Sequence, residues 1–365
     1  MEKTAAKLAL GVDAYQQWVE AEGVPVHEGI ALNLLQLDTA DWPRFGVKGA
    51  AVHFLGRGDF CSMFLSEIGA GRSSAPVRHL YEAIYFVLEG RGSTQVQFDD
   101  GRRHQFEWGP RSFFAIPINA TYQHFNGSGK DRALLVSTTT APLIMKIFRD
   151  AAFVFHTPHD FVDRIGKDEY YSGGGDLHML RPGYSTWETN FVPDLNAIEL
   201  TPQEARGQGS SNIIFALAGS MMHAHIAQVA PATYKKAHRH AAGAHVMTLT
   251  GEGYSLLWYP GDGDFTRVDW EYGTVFPPCE GQFHQHFVTS DNPSRYLATA
   301  IYGSRYPLTE KFRHIGVDKD GKGGTQDRSL KDGGDQIEYE DQDPRIHAIW
   351  LEEMRKNGIT PKMQF

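Results

Sequence analysis

Two pairs of alternating histidines, His238/His240 and His284/His286, constrain this chain more than any other feature of its sequence. Side chains alternate between the two faces of a β-strand, so both members of a pair point to the same side of a sheet. Glycine-flanked strand patterns and the turn Pro260–Gly263 lie between the pairs. This arrangement predicts two hairpins of a small antiparallel barrel, with both pairs at one mouth.

Imidazoles clustered inside a barrel suit a borderline divalent metal, bound through neutral ring nitrogens. The alternative is two pairs of solvated or structural histidines, but two pairs around a strand–turn–strand pattern favour metal binding. His245 follows the first pair, and strand parity places it on the opposite face unless the link 241–243 breaks the alternation. Three roles therefore stay open for His245: a further ligand, a proton carrier beside the site, or an outward-facing residue.

The spacing is similar to the two-part motif of the cupins, in which an H-x-H pair is followed by a glutamate, a glycine and a closing G-x-x-H. Gly251 and Gly281–His284 follow this motif, whereas Ala244 and His245 occupy the two positions open to the glutamate. The start Ala237–His240 without that glutamate resembles the gentisate, salicylate and 1-hydroxy-2-naphthoate 1,2-dioxygenases, which hold iron with three histidines. The resemblance implies Fe(II) held by His238, His240 and His284, and in a non-oxidative cupin Mn, Ni or Zn would serve at the same residues.

By the same resemblance, the activity is the ring cleavage of a hydroxylated aromatic carboxylate with O2. The alternative is a non-oxidative metal-dependent cupin, an isomerase, lyase or decarboxylase, in which the metal is a Lewis acid toward a small oxygenated acid. A non-catalytic storage or binding protein is a third class, which three histidines at ligand spacing disfavour. Oxygen dependence separates the first two classes, and the sequence does not decide between them.

A substrate carboxylate needs a cation. Lys235 and Lys236 precede His238 by two to three residues, so one of them faces the barrel mouth. Arg239 alternates with the histidines and points away from them by parity, but its place in the motif keeps it among the substrate-binding candidates. Further candidates are the wall residues Tyr234, Tyr254 and Trp258 and the catalytic groups His245, His286, Lys236 and Gln282.

The same pattern occurs earlier in the chain. His79, Gly90 and Gly92 lie 161 residues before His240, Gly251 and Gly253, and Pro117, His124 and Asn126 lie 160 residues before Pro277, His284 and His286. A nearly constant offset indicates a duplicated barrel. We therefore predict an all-β-dominated fold of two cupin (double-stranded β-helix, jelly-roll) barrels, with short helical N-terminal, linker and C-terminal segments.

The first barrel lacks one member of its histidine pair, because Val77 matches His238. His79, Glu82 and His124 could still form a site of two histidines and a carboxylate. A valine in a ligand position instead favours a structural barrel, with the chemistry in the second one. The pair His223 and His225 matches no ligand pattern of the motif and is interpreted as ordinary strand histidines.

Composition shifts predict five segments along the chain. Asp13 is a predicted cap for a helix over Ala14–Ala21, and a last helix is predicted from Pro344 through Lys356. The acidic, glycine-rich stretch Asp318–Asp343 is predicted to be a solvated loop or mobile tail. The segments are a helical arm (1–48), the N-terminal barrel (49–141), a connector (142–208), the C-terminal barrel (209–305) and the tail with its helix (306–365).

The overall composition excludes several classes of function. The net charge of −9 gives no basic footprint for nucleic acid. No apolar run approaches the roughly 18 residues of a membrane span, and no signal peptide is predicted. Two distant cysteines, Cys61 and Cys279, form no disulfide framework, so a cytoplasmic location is expected. Resemblance to the dioxygenases implies a homodimer or homotetramer.

Overall fold

The structure, a computed structural model, describes residues 10–55, 60–240, 244–301, 303, 305–306 and 327–363. The predicted fold class is confirmed, because mostly antiparallel strands in two successive barrels dominate the chain and the helices are short. Within these ranges, no helix has the length and apolar character needed to cross a membrane. The helices are α1 (Ala14–Glu22), α2 (Ala141–Phe148), α3 (Ala151–His156) and α4 (Pro344–Asn357).

The N-terminal barrel is made of a large and a small sheet. The first fourteen strands of the chain are β1 (Val26–Gly29), β2 (Leu32–Asn33), β3 (Ala40–Trp42), β4 (Val47–Phe54), β5 (Ser62–Ile68), β6 (Ala83–Glu89), β7 (Gly92–Gln97), β8 (Arg103–Trp108), β9 (Phe113–Ile116), β10 (Thr121–Asn126), β11 (Ala133–Thr139), β12 (Asp176–Arg181), β13 (Tyr184–Thr189) and β14 (Phe191–Val192). The large sheet has the order β1-β4-β5-β11-β6-β9-β14, and the small sheet has the order β10-β7-β8. Strands distant in sequence, such as β5 and β11, are neighbours, as expected for a jelly roll.

The C-terminal barrel repeats this plan. Its further strands are β15 (Thr201–Pro202), β16 (Ser211–Leu217), β17 (His223–Val229), β18 (Ala237–His238), β19 (His245–Thr250), β20 (Gly253–Trp258), β21 (Thr266–Asp269), β22 (Thr274–Phe276), β23 (Phe283–Val288), β24 (Ser294–Ala300) and β25 (Gln336–Ile337). The large sheet has the order β12-β13-β16-β17-β24-β19-β22-β2, and the small sheet has the order β21-β20-β23-β18-β25. The antiparallel pair β17 and β24 therefore corresponds to β5 and β11.

The two barrels pack against each other through their large sheets. One buried apolar cluster contains residues from both, including Leu65 and Val136 of the first and Ile226 and Leu297 of the second. Short strands also cross over: β2 of the N-terminal arm pairs with β22, and β14 of the connector pairs with β9. The hydroxyls of Thr138 and Thr299, 161 residues apart, lie 2.8 Å from each other at this interface. The predicted repeat therefore appears as an approximate two-fold relation between the barrels.

At two pairs of equivalent positions in the repeat, the backbone requires glycine. Gly90 and Gly251 both have a φ of 87°, in the left-handed region that favours glycine. A Cβ atom on either Gly92 or Gly253 would lie 2.0 Å from a carbonyl oxygen of the facing strand, which no real contact allows. These positions keep β7 and β20 close to β10 and β23, the strands that carry the histidines of the motif.

The strand register corrects one part of the predicted repeat. His124 lies opposite Thr94 on β7, and His286 lies opposite Ser255 on β20, while Thr94 and Ser255 are 161 residues apart. His124 is therefore the counterpart of His286, and its predicted match with His284 is wrong by two residues. Residues two positions apart on a strand point to the same face, so the predicted match of His124 with His284 still placed His124 on the correct face of the sheet.

The terminal helices follow the predicted caps. The Asp13 carboxylate accepts hydrogen bonds from the backbone N–H groups of Tyr15 and Gln16, and α1 buries its apolar face on the N-terminal barrel. Helix α4 buries Ile346, Trp350 and Met354 against the outer face of the small C-terminal sheet of the same chain. Both apolar faces are thus covered within the chain.

The C-terminal segment (residues 327–363) contains the last part of the stretch Asp318–Asp343, which was predicted to be a solvated loop or mobile tail but which instead contacts the barrel. Its strand β25 pairs with β18, so that Gln336 lies opposite His238, and Gln336 is buried. The predicted tail residues 318–326 lie outside the described residues. The polar composition of this segment thus serves hydrogen bonds to the barrel and does not keep all of it in solvent.

Candidate metal centre

Three histidines converge at one mouth of the C-terminal barrel. His238 lies on β18 and is paired in register with His284 on β23, while His240 follows two residues after His238. One ring nitrogen from each of the three lies within 4.8 Å of the others, close enough for one cation. The structure therefore brings together the three residues predicted as ligands.

The state of these rings fits a metal. Burial, with Arg206 as the next cause, holds the pKa of His238 well below its usual range, and burial followed by His240 does the same for His284. The rings of His238 and His284 are thus neutral at pH 7, as ligands must be. The Nδ1–H of His284 donates a long hydrogen bond of 3.4 Å to the Gln282 carbonyl, which leaves its Nε2 lone pair available. The buried Nδ1 of His238 has no hydrogen-bond partner among the described residues.

A hydrogen-bonded triad fixes the tautomer of His286. The indole N–H of Trp270 donates to the Ser255 hydroxyl at 2.9 Å, and that hydroxyl lies 2.8 Å from Nδ1 of His286. Nδ1 of His286 is the one acceptor for the Ser255 hydroxyl proton among the described residues, so the arrangement that uses this proton has Ser255 donating to Nδ1 and His286 carrying its own proton on Nε2. His286 is therefore an N–H donor inside the barrel, 5.5 Å from the His284 ring by centroids.

Lys235 is the cation that faces the barrel interior. Its side chain is buried, and its ammonium lies 3.2 Å from the Tyr296 hydroxyl. Burial, followed by the nearby Arg206, lowers the pKa of Lys235 to about 7, against the opposing effect of Asp327. Lys235 is thus poised to exchange a proton near neutral pH.

Lys236 points the other way, as the alternation of the strand requires. Its ammonium pairs with Glu338 at 2.5 Å, and Arg239 pairs with Asp335 at 3.2 Å, both on the C-terminal segment. The structure therefore does not place Lys236 and Arg239 in the barrel interior, where their predicted catalytic and substrate-binding roles would require them. Both residues instead hold the C-terminal segment against the strand that carries His238.

The aromatic residues predicted as barrel walls lie on the outer face of the small sheet. Tyr234, Tyr254 and Trp258 belong to the apolar cluster under α4, and Tyr234 bonds to His347 at 2.9 Å. These three side chains thus do not line the barrel interior as predicted, because Ser255 faces His286 and the even-numbered Tyr254 and Trp258 point to the opposite face of β20.

Two other predicted catalytic residues are also placed away from the reaction space. His245 is fully buried at the interface between the barrels, where its ring lies 5.4 Å from that of Phe54. His245 therefore lies apart from the cluster of His238, His240 and His284, on the face that strand parity predicts, and away from the place its predicted catalytic role would require. The side chain of Gln282 accepts a hydrogen bond from the Cys279 N–H at 3.0 Å and so closes the turn before His284.

Arg206, which comes from the connector, was not among the site residues predicted from the sequence. Arg206 is 6% exposed and donates to the Gln336 side chain at 3.2 Å. Asp327 lies 3.8 Å from Arg206 and is shared with Arg181 and the Tyr184 hydroxyl. No local motif marks this arginine, since it reaches the site only through the chain fold. Its charge adds to the positive potential that lowers the pKa values of the neighbouring histidines.

His223 and His225 also face the interior, which the sequence analysis did not predict. Their ring nitrogens lie 2.8 Å apart, and burial lowers the pKa of His223 to about 4. The pair stands on β17, whose other face belongs to the core between the barrels. These histidines therefore extend the polar lining of the barrel beyond the three candidate ligands.

The N-terminal barrel has no matching metal site among its described residues. Val77 and Tyr122 are bridged to each other and stand where His238 and His284 stand in the second barrel. The His79 Nδ1–H donates to the Tyr81 carbonyl at 2.8 Å, and its Nε2 accepts from the Tyr122 hydroxyl at 3.0 Å. The hydroxyl proton of Tyr122 therefore occupies Nε2 of His79, the ring nitrogen that a metal would need.

The remaining predicted members of that site are used elsewhere. His124 repeats the triad of His286, with Nδ1 2.7 Å from the Thr94 hydroxyl, which accepts from Trp108. Glu82 accepts hydrogen bonds from Arg164 at 3.1 Å and from a backbone N–H of the second half of the chain. The barrel interior holds a cavity of only about 20 Å³, room for about one water.

A second group of metal-type side chains lies on the surface. Asp176, His178 and Glu188 project from the neighbouring strands β12 and β13. Asp176 already bonds to Lys167 and Tyr170, and Glu188 to Arg305. Its carboxylates are thus engaged by protein cations, and the histidine cluster remains the candidate centre.

The fold and the site together define a double-barrel protein with a three-histidine cluster in its second barrel. No family model and no curated protein matches the chain. Similar solved structures include Lactobacillus farciminis oxalate decarboxylase in a formate complex (10% identity, TM-score 0.48, 74% of this chain and 85% of that one), a mutant of Bacillus subtilis oxalate decarboxylase (11%, 0.48, 74% and 76%) and vicilin from Corylus avellana (11%, 0.47, 74% and 84%).

Proposed function

We propose that this protein is a metal-dependent enzyme that acts on a small oxygenated acid by proton transfer, as an isomerase, lyase or decarboxylase does. The observation that carries the proposal is the cluster of His238, His240 and His284 in the same barrel as the buried Lys235. Burial keeps the rings of His238 and His284 neutral, and Lys235 has a pKa of about 7, the range in which a side chain both takes and gives a proton.

The residues of the chain divide the work. A divalent cation at the three histidines would supply Lewis acidity toward an oxygen of the substrate. Lys235 holds or releases a proton at Nζ, and the Tyr296 hydroxyl fixes the direction of that nitrogen. His286 offers its Nε2–H to a substrate oxygen, because the Ser255 hydroxyl occupies its other nitrogen. The C-terminal segment, held by Gln336 and its neighbours, limits access of water from the side of β18.

A second candidate is the Fe(II)-dependent ring cleavage of a hydroxylated aromatic acid with O2. The all-histidine donor set favours it, because no protein carboxylate competes with a dianionic substrate for the charge of the cation. The placement of Tyr234, Tyr254 and Trp258 outside the barrel removes the aromatic wall that the sequence predicted for such a substrate. Proton transfer on a smaller acid is therefore our first proposal.

One experiment separates the candidates. The purified protein is analysed for bound metal and then incubated, in air and under argon, with small carboxylic acids and with salicylate, gentisate and 1-hydroxy-2-naphthoate. We expect about one metal per chain and turnover of a small acid that persists under argon. Oxygen uptake with an aromatic acid would instead support the dioxygenase.

The control compares two counterpart histidines. His240→Ala is expected to lose the metal and the turnover, whereas His79→Ala, at the equivalent position of the first barrel, keeps both. Folding of each variant is verified by circular dichroism. A folded wild-type protein that binds no divalent metal contradicts both candidate functions.

A further inference from the structure

The interiors of the two barrels differ at corresponding positions. His225 and Tyr296 of the second barrel stand where the first has Phe64 and Leu135, both part of an apolar core. Lys235 stands where the first barrel has a serine, since the backbone N–H of each donates to the strand carbonyl of the matching histidine. The first barrel therefore serves as an internal reference, and the polar residues of the second are additions to it.

These additions leave positive charge in the interior. Lys235 is 3% exposed, and its ammonium has three N–H donors but one hydrogen-bond partner among the described residues, the Tyr296 hydroxyl. No aspartate or glutamate is buried in the described part of the C-terminal barrel. Asp327, at the edge of the barrel, is shared by Arg181 and Arg206. An ammonium buried without a carboxylate is costly unless an anion joins it.

The charge lies beside the histidine cluster. The rings of Tyr296 and His286 are 4.5 Å apart by centroids, and those of His286 and His284 are 5.5 Å apart. Lys235 is also joined to His286 through the backbone, because its N–H donates to the His286 carbonyl at 3.0 Å. Two neighbouring side chains, Tyr296 and His286, thus lie between the ammonium and the candidate ligand His284. The ammonium and the histidine cluster therefore belong to one interior, where the two ends of one small molecule can meet them.

We propose that Lys235 and Tyr296 form an anion subsite next to the three histidines, so that the barrel binds a small dicarboxylic acid at both ends. One carboxylate is held by the cation at the histidines, and the other accepts hydrogen bonds from the Lys235 ammonium and the Tyr296 hydroxyl. This inference rests on the proposed function and adds the class of its substrate. It also gives the polar residues of the second barrel a common purpose.

Calorimetric titration of the zinc-loaded protein tests the subsite, with malonate and succinate as dicarboxylates and acetate as the monocarboxylate. We expect at least one dicarboxylate to bind ten or more times more tightly than acetate. Lys235→Met is expected to remove that preference while the zinc content and the acetate affinity stay unchanged. Lys236→Met, the same change at the neighbouring residue that pairs with Glu338, is the matched control and keeps the preference.

The outcomes separate this inference from the proposed function. A preference that survives in folded, zinc-loaded Lys235→Met protein overturns the subsite and leaves the metal enzyme intact. Failure of the wild type to take up zinc or another divalent cation contradicts the proposed function, and the titrations are then made on the metal-free protein. There, dicarboxylate binding that depends on Lys235 and not on Lys236 still supports the subsite, and its absence overturns it. Tyr296→Phe, expected to lose part of the preference, replaces Lys235→Met if the latter does not fold.

Discussion

A lysine ammonium loses most of its hydration when it is buried, which disfavours the charged form. Lys235 is buried in this way inside the barrel. Its pKa falls to about 7 in the folded protein, whereas the unfolded chain keeps the ordinary value near 10.5. Between these two values the unfolded state binds more protons than the folded state. The free energy of unfolding therefore increases with pH across this window, by at most about 1.4 kcal/mol per pH unit from this group.

Lys235→Met is expected to remove that slope. On going from pH 7.5 to 9, the metal-free wild type should gain up to about 2 kcal/mol of stability relative to the variant, since methionine does not titrate. Urea unfolding at the two pH values, followed by tryptophan fluorescence, measures the difference. Equal pH dependence in both proteins would show that Lys235 stays protonated in the folded state, as in solvent.

Strand parity explains which site residues were accessible to sequence analysis. The sequence pointed to His238, His240 and His284 because the spacing of candidate ligands within a motif can be recognised from the sequence alone. Tyr234, Tyr254 and Trp258 were predicted to line the barrel because their aromatic character was given more weight than strand alternation. The same alternation had already placed Arg239 outside the barrel. Arg206 and Tyr296 could not be found, because they come near Lys235 only through contacts that are distant in sequence. Residue type and spacing were thus enough to predict the candidate ligands, whereas the residues around them could be identified only from the fold.

At the level of elements, the small sheet of the C-terminal barrel depends on its close strand spacing. Strand β23 carries His284 and pairs with β20 along its whole length. Gly253 begins β20 at a point where any side chain would collide with the carbonyl oxygen of Phe287. The same restriction at Gly92 in the first barrel shows that it belongs to the barrel plan and is independent of the metal site.

Gly253→Ala is therefore expected to destabilise the protein by about 3 kcal/mol, because the backbone of β20 or β23 must move to make room. Gly263→Ala is the control, since a Cβ there would meet nothing within 4 Å. Denaturant titration of both variants gives the two free energies of unfolding. Similar stability of the two would contradict the close approach of the strands.

The C-terminal segment shows where composition misleads at this scale. A polar, glycine-rich stretch has few apolar residues to bury, so solvent exposure was the natural prediction. The described part instead adds β25 to the sheet, and its charged residues pair with Lys236 and Arg239. Backbone hydrogen bonds do not depend on apolar side chains, and sequence composition does not report them. The terminal helices α1 and α4, which do carry apolar faces, were predicted nearly to the residue.

For the whole molecule, duplication has produced two barrels with different interiors on one backbone plan. Repeated glycines and the Thr138–Thr299 contact keep the plan the same in both. The repeat could be recognised in the sequence, but the second part of each repeat was aligned by matching His124 with His284. The strand register shows that His124 corresponds to His286. The correct counterpart of the candidate ligand His284 is Tyr122. The first barrel therefore retains His79 as the one histidine among the three positions that match the candidate ligands.

This relation predicts that the lost site can be rebuilt. Val77→His combined with Tyr122→His gives the first barrel histidines at all three positions, together with His79, and removes the hydroxyl that now bonds to His79. We expect the metal content to rise by one equivalent per chain, with a stability cost of about 1–3 kcal/mol in the metal-free protein from burying polar rings. Elemental analysis after dialysis against a weak chelator measures the content, and Tyr122→Phe, which removes the hydroxyl without adding a ligand, should leave it unchanged. An unchanged content in the folded double variant would mean that the two barrels differ in backbone geometry as well as in side chains.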